Sequence, residues 1–150
     1  MTRVCLIGSD ESDLRYELLS RETARAALAT YDLTQPFENS VALETLSLGA
    51  AVALLNDLNW YLVRFADHAF VQEPSISDTE WLSRELATEV RDRELPPEET
   101  DQRLQVFGVD GNELVEPMYV TRVDGEIPEY DLRDVEETLV VRVSDEEFRG

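Results

Sequence analysis

Residues 104–120 read LQVFGVDGNELVEPMYV, and they set the class of the fold. The hydrophobic period here is two, the spacing of a strand with one buried face, and Asp110-Gly111 sits between the two halves. A Gly after Asp supplies the positive backbone angles that a tight hairpin turn needs. The pattern therefore predicts antiparallel strands over 104–109 and 113–120. Pro117 has no amide hydrogen to give a neighbour, so the second arm is expected at a sheet edge or a bulge. Asp124-Gly125 repeats the turn signal. The run Leu139-Val140-Val141 predicts a buried last strand over 138–143, and Ser144 with Glu147 has the spacing to open a final helical turn.

Upstream of residue 100 the pattern is different. Residues 3–7 are rich in β-formers and read as a buried strand. Gly8-Ser9 turns it into a helix expected over 10–30, with acids crowding the first turn as the helix dipole prefers. LTQPFENS (33–40) is a loop. Strands are expected over 41–46 and 60–65, on either side of a short, mostly buried helix, LGAAVALLNDL, that Ser47 can cap. Ser77 and Glu80 match a capping box, with Ile76 and Trp81 as its hydrophobic staple. The helix they would start is expected to run to about residue 93, burying Leu82, Leu86 and Val90, before Leu95-Pro96-Pro97 ends it. The whole reads as one α+β domain over 1–150. It has a βαβαβ-like N-terminal part, an amphipathic helix and then antiparallel hairpins, in one mixed sheet covered by helices.

The charge is extreme. The chain has 150 residues, thirty-three acids against thirteen basic side chains, and a formal net charge of −20. Every basic residue is arginine; there is no lysine. Such a charge strains a compact domain by self-repulsion unless salt screens it, and at 1 M salt the screening length is about 3 Å. Hyperthermophiles gain lysine with glutamate, so heat is not the expected pressure. Codon usage in a GC-rich genome also favours arginine, and both explanations point to an extreme halophile. No apolar run approaches the roughly 20 residues of a membrane span. VCLIG is too short for a signal-peptide core, so a cytoplasmic protein is expected. Cys5 is the one cysteine, which leaves no disulfide framework. No arginine-rich stripe offsets the acids, so nucleic acid is not the expected partner.

The segments MTRVCLIGS, LRYELLSRETARAAL, LNDLNWYLVRF, EPMYVTR and PEYDLRDVEETLVVRV resemble a family of haloarchaeal proteins classed as a domain of unknown function. The resemblance runs through nearly the whole chain and implies a haloarchaeal source and a single domain, with no activity attached. Residues 3–66 also resemble the front half of a response-regulator receiver domain, RVCLIGSDE standing for its first strand and acidic pair. Two departures argue against receiver chemistry. The phosphoacceptor position falls near Ala66, one residue before Asp67, and the lysine that receivers use to hold the phosphoryl group is missing.

Four groups of residues are candidates for chemistry. Asp10 and Glu11, with Asp13, follow the first strand, where paired acids can hold a hard cation; a helix start would use the same acids. Asp67 and His68, with Glu73 five residues on, can shuttle a proton or ligate a metal, or lie in a loop. Arg21 and Arg25 can form an anion site, or pair with Glu17 and Glu22 along the core edge. Met118, Tyr119 and Tyr130 can pack on the hairpins or offer a partner-binding edge to a second copy or another protein. P-loop, G-x-G-x-x-G and G-x-S-x-G motifs are absent from the sequence. The expectation is a non-catalytic binding or regulatory domain without a cofactor. The alternative is a small cation-dependent enzyme, or degenerate receiver-like domain, with Asp10, Glu11, Asp67 and His68 gathered at one sheet end.

Overall fold

The run Val4-Cys5-Leu6-Ile7 is apolar at every position because both faces of its strand are covered. Successive side chains of a strand point to opposite faces. Val4 and Leu6 join one buried cluster and Cys5 and Ile7 another. This strand, β1 (Thr2–Gly8), lies inside a mixed sheet in a computed structural model that describes residues 1–127 and 137–149. The other strands are β2 (Ser40–Thr45), β3 (Ala66–Gln72), β4 (Trp81–Ser83), β5 (Arg103–Asp110), β6 (Glu113–Thr121) and β7 (Glu137–Arg142). Among the described residues the sheet has seven strands in the order β2-β1-β3-β4-β7-β5-β6. Only β4 and β7 run parallel; every other neighbouring pair is antiparallel.

Helices α1 (Leu14–Leu19), α2 (Glu22–Leu28), α3 (Leu48–Asp57), α4 (Asn59–Phe65) and α5 (Arg84–Arg91) bury their apolar stripes against the face that carries Val4 and Leu6. On the opposite face Cys5, Ile7, Phe70, Trp81, Phe107 and Val141 pack together, with Phe148 of the short α6 (Asp145–Arg149) against them. The fold is α+β, one mixed sheet with helices packed on it.

Local signals are reproduced where their partners are close in sequence. Ser47 caps α3, its hydroxyl accepting from the Ala50 amide at 3.1 Å. Gly111 holds the β5–β6 turn at φ +62, and β6 is the last strand of the described sheet. The β5–β6 register shifts between Val106 and Gly108, a bulge that increases twist. Asp124 and Gly125 both take positive φ in the second turn. Ser144 and Glu147 form a reciprocal capping box on α6: each side chain accepts from the other's amide, at 3.1 and 3.0 Å.

Four expectations are corrected. Residues 10–30 form two helices, because Arg21 is extended (φ −109, ψ 130) between α1 and α2. At the break the Arg21 side chain lies over the rings of Trp60 and Phe65, and Leu14 and Leu18 of α1 join the same buried cluster as Ala24 and Leu28 of α2. Residues 60–65 are the helix α4, and the strand begins at Ala66. TrpTyrLeuValArgPhe is rich in β-formers, but the packed positions Leu58, Tyr61, Leu62 and Phe65 follow i, i+3, i+4, i+7, and that period decides. Third, the helix expected from Ser77 starts only at Arg84, with Ser83 as its cap. Trp81 and Leu82 are both buried, in opposite clusters, as alternate residues of a strand must be. Ser77 still accepts from the Glu80 amide at 3.0 Å, closing a turn without a helix, and Val90 is only half-buried. Finally, β1 is antiparallel to both β2 and β3. The βαβαβ-like N-terminal part therefore has antiparallel neighbours around β1 and not the parallel ones of a βαβ unit. Tyr130 lies outside the described residues.

Candidate functional site

The loop after β1 is fixed by one side chain. Gly8 donates its amide to the Asn39 carbonyl at 2.7 Å. The Asn39 carboxamide donates to the carbonyls of Ser9 and Ser12, both at 2.8 Å, and accepts from the Leu14 amide at 2.9 Å. Gly8 has to be glycine, because a Cβ there would stand 2.5 Å from Asn39 Nδ2. Asn39 itself sits at φ 53, a conformation that asparagine tolerates better than most residues. The Ser9 amide and the Ser12 hydroxyl both donate to the Phe65 carbonyl at the end of α4, at 2.8 and 3.0 Å. Asp13 caps α1 by accepting from the Tyr16 amide at 3.2 Å, so one acid of the loop has a structural task. Asp10 and Glu11 are exposed.

Because β3 runs antiparallel to β1, its first residues lie beside the last of β1. His68 is opposite Ile7, and Ala66 opposite Gly8 across a bulge. Asp10, Asp67 and His68 therefore line one cleft of about 650 Å³. Glu11 is not among its lining residues. Glu73 is at the far end of β3, where it accepts from the Thr2 hydroxyl at 3.1 Å. Five strand residues separate it from His68 by about 16 Å, so the two cannot share an ion. Among the described residues no group of three or more His, Cys, Asp or Glu is placed to hold a metal ion.

The far wall comes from the other end of the sheet. β4 is three residues long and pairs through only two residues on each side. Across this short strand the sheet coils until the β5–β6 turn meets the loop before β2. The Glu38 amide donates to the Asn112 carbonyl at 2.6 Å and joins the two. Glu113, Leu114 and Pro117 thereby face Asp10 and His68 across the cleft, with Phe37 and Glu38 at its side.

The floor is aromatic. The His68 ring meets the edge of Phe107 at 5.0 Å between centroids and stacks on Phe70 at 5.4 Å. Burial holds the imidazole below its usual 6.5, outweighing the charge of Asp67, so it is neutral at pH 7. Five lining carboxylates (Asp10, Asp13, Glu38, Asp67 and Glu113) stand against one guanidinium, Arg15. Cys5 is buried, and burial pushes its thiol up to about 12, which removes it as a nucleophile. A second cleft, of about 670 Å³, opens from Asp67 and His68 toward α5. There, burial and neighbouring glutamates raise the carboxyls of Glu85 and Glu89 above the usual 4.5.

Arg21 takes the core-edge arrangement. It pairs with Glu17 at 3.3 Å and lies over the rings of Trp60 and Phe65, at 5.4 and 5.6 Å. Tyr119 is 48% exposed on β6, with its ring edge against Phe148. Sequence reasoning reached Asp10, Asp67 and His68 but missed Phe37, Phe107, Glu113 and Leu114. Those four come from a loop and from a hairpin far along the chain, and nothing near them in sequence says that they meet.

None of the helices is long and apolar enough to cross a membrane among the described residues. No curated protein and no solved structure matches the chain. Residues 2–109, from the start of β1 through all but the last residue of β5, match the model of a family of unknown function (DUF5804), and the chain belongs to that family.

Proposed function

We propose that the protein is a non-catalytic binding domain, working in the cytoplasm of a halophilic archaeon, that holds a small ligand in the cleft between the β1–α1 loop and the β5–β6 hairpin. The closure of the coiled sheet carries this reading: the Glu38–Asn112 bond joins segments more than seventy residues apart over an aromatic floor. The volume of about 650 Å³ lies in the range of small-molecule sites, which span roughly 300–1,000 Å³. His68 is packed between rings, an arrangement suited to shape recognition more than to proton transfer. The charge of −20 without lysine supports the saline setting.

The test is native mass spectrometry of the protein purified at high salt from its own organism, beside a Leu114→Trp variant that fills the cleft. Wild type should carry a non-covalent ligand that the folded variant lacks. A ligand retained equally by both places the site elsewhere.

A second reading adds a protein partner or second copy of the chain along β6. The exposure of Tyr119 on the last described strand favours it. Sedimentation in molar KCl should then show a complex that Tyr119→Asp dissolves; an unchanged monomer would remove the idea.

A further inference from the structure

We infer that the ligand of this cleft is an organic cation: an ammonium or guanidinium group on an alkyl or arylalkyl body. The inference rests on the cleft being the binding site. Two independent properties of its walls lead to it. The first is sign, with five carboxylates and a single arginine among the lining residues. An anion entering the cleft would be repelled at contact distance, where salt screens least. His68, neutral at pH 7, adds no opposing charge.

The second property is the apolar surface between those acids. Phe37 offers a half-buried ring, and Leu114 and Pro117 offer aliphatic contact, above a buried layer that holds Phe107 and Ile7. Aromatic faces attract cations through their quadrupole, while the aliphatic groups take up the carbon body of a ligand. In a molar-salt medium this combination matters. Potassium and sodium ions compete for any bare carboxylate, but they gain nothing from apolar walls. A cavity of about 650 Å³ is also far larger than a single ion needs. The walls therefore select a cation by its hydrocarbon part, and the carboxylates select it over a neutral or anionic molecule of the same shape.

The experiment is an amide NMR titration in molar KCl at constant ionic strength. The probes are phenethylamine and agmatine, with 2-phenylethanol and phenylacetate as the neutral and anionic controls. Amine or guanidine probes should give saturable shifts at Gly8, Asn39, His68 and Leu114, and 2-phenylethanol should bind at least about tenfold more weakly. Asp67→Asn with Glu113→Gln should weaken phenethylamine severalfold and leave 2-phenylethanol unchanged. If 2-phenylethanol or phenylacetate matches phenethylamine at the same amides, the cleft stands as a site and the cationic class is overturned. Shifts that spread over the acidic surface without saturating also overturn it. If no probe moves these amides, the cationic class fails, and the cleft itself then falls only if Leu114→Trp also loses no native ligand.

Discussion

Glu80 is the residue on which the second half of the fold converges. Its carboxylate accepts two bonds from Arg122 Nη2, at 2.6 and 2.7 Å, and one from Arg142 Nε at 2.8 Å. Arg142 also donates to the Thr100 hydroxyl at 2.9 Å. All three ionic side chains are at most 14% exposed. Removing the carboxylate leaves two shielded guanidiniums without their anion, so Glu80→Gln should lower unfolding free energy by about 2 kcal/mol, a value reduced for partial solvent access. Burial alone would raise the Glu80 carboxyl, but the hydrogen bonds and charges of Arg122 and Arg142 outweigh it and hold the group below 4.5. A carboxyl lowered by folding stabilises above its unfolded value and loses that contribution as pH falls through its folded value. Denaturant melts of wild type and Glu80→Gln should therefore differ most near neutrality and converge in acid. Gly8 is the second critical residue. Gly8→Ala should cost about 2 kcal/mol by pushing Asn39 from its three bonds, and much less in an Asn39→Ala background, since the two effects share one contact.

At the scale of elements, the beginning of α5 shows how a correct local signal can have another use. Ser77 has the spacing of a helix cap, and its hydroxyl does accept the expected amide bond from Glu80. The chain then passes through β4 because the sheet has a place for Trp81 and Leu82 on its two faces, and the helix waits for Ser83. The Ser83 hydroxyl accepts from the Leu86 amide at 3.1 Å and donates to Glu147 of α6. Ser83→Ala should thus remove a buried cap and a link between helices, about 1.5 kcal/mol. Ser77→Ala, in an exposed turn, should cost less than half of that. Urea melts of the two variants order them; equal losses would mean that the turn before β4 matters as much as the helix cap.

Over the whole molecule, the surface charge sets the conditions under which these contacts suffice. A formal −20 on 150 residues repels itself at long range, and several arginines are engaged in ion pairs, as with Arg21 on Glu17 and Arg142 on Glu80. Circular dichroism between about 1 M and about 0.1 M KCl should show a falling thermal midpoint, as the screening length grows from about 3 to about 10 Å. Equal midpoints at both ends would contradict self-repulsion as the limiting term. The coiled sheet is the element most exposed to this effect, since its closure brings Asp10, Asp67 and Glu113 around one cleft.

The sequence alone determined what lies within a few residues of its own cause. The Asp110-Gly111 hairpin, the Ser47 cap, the Ser144 and Glu147 box and the doubly buried β1 each answer to a turn angle, a hydroxyl or a hydrophobic period acting locally. Even the helix at 59–65 was written in the spacing of Leu58, Tyr61, Leu62 and Phe65, although β-propensity argued otherwise. Tertiary structure decided the rest. A short apolar segment such as Trp81-Leu82-Ser83 becomes strand or helix according to where buried surface is offered, and that surface belongs to β3 and β7. The cleft is the extreme case. Asp10 and His68 are neighbours because β3 returns antiparallel to β1, and Leu114 faces them because the sheet coils across a three-residue strand. Such pairings are contacts between distant parts of the chain, and no local period encodes them.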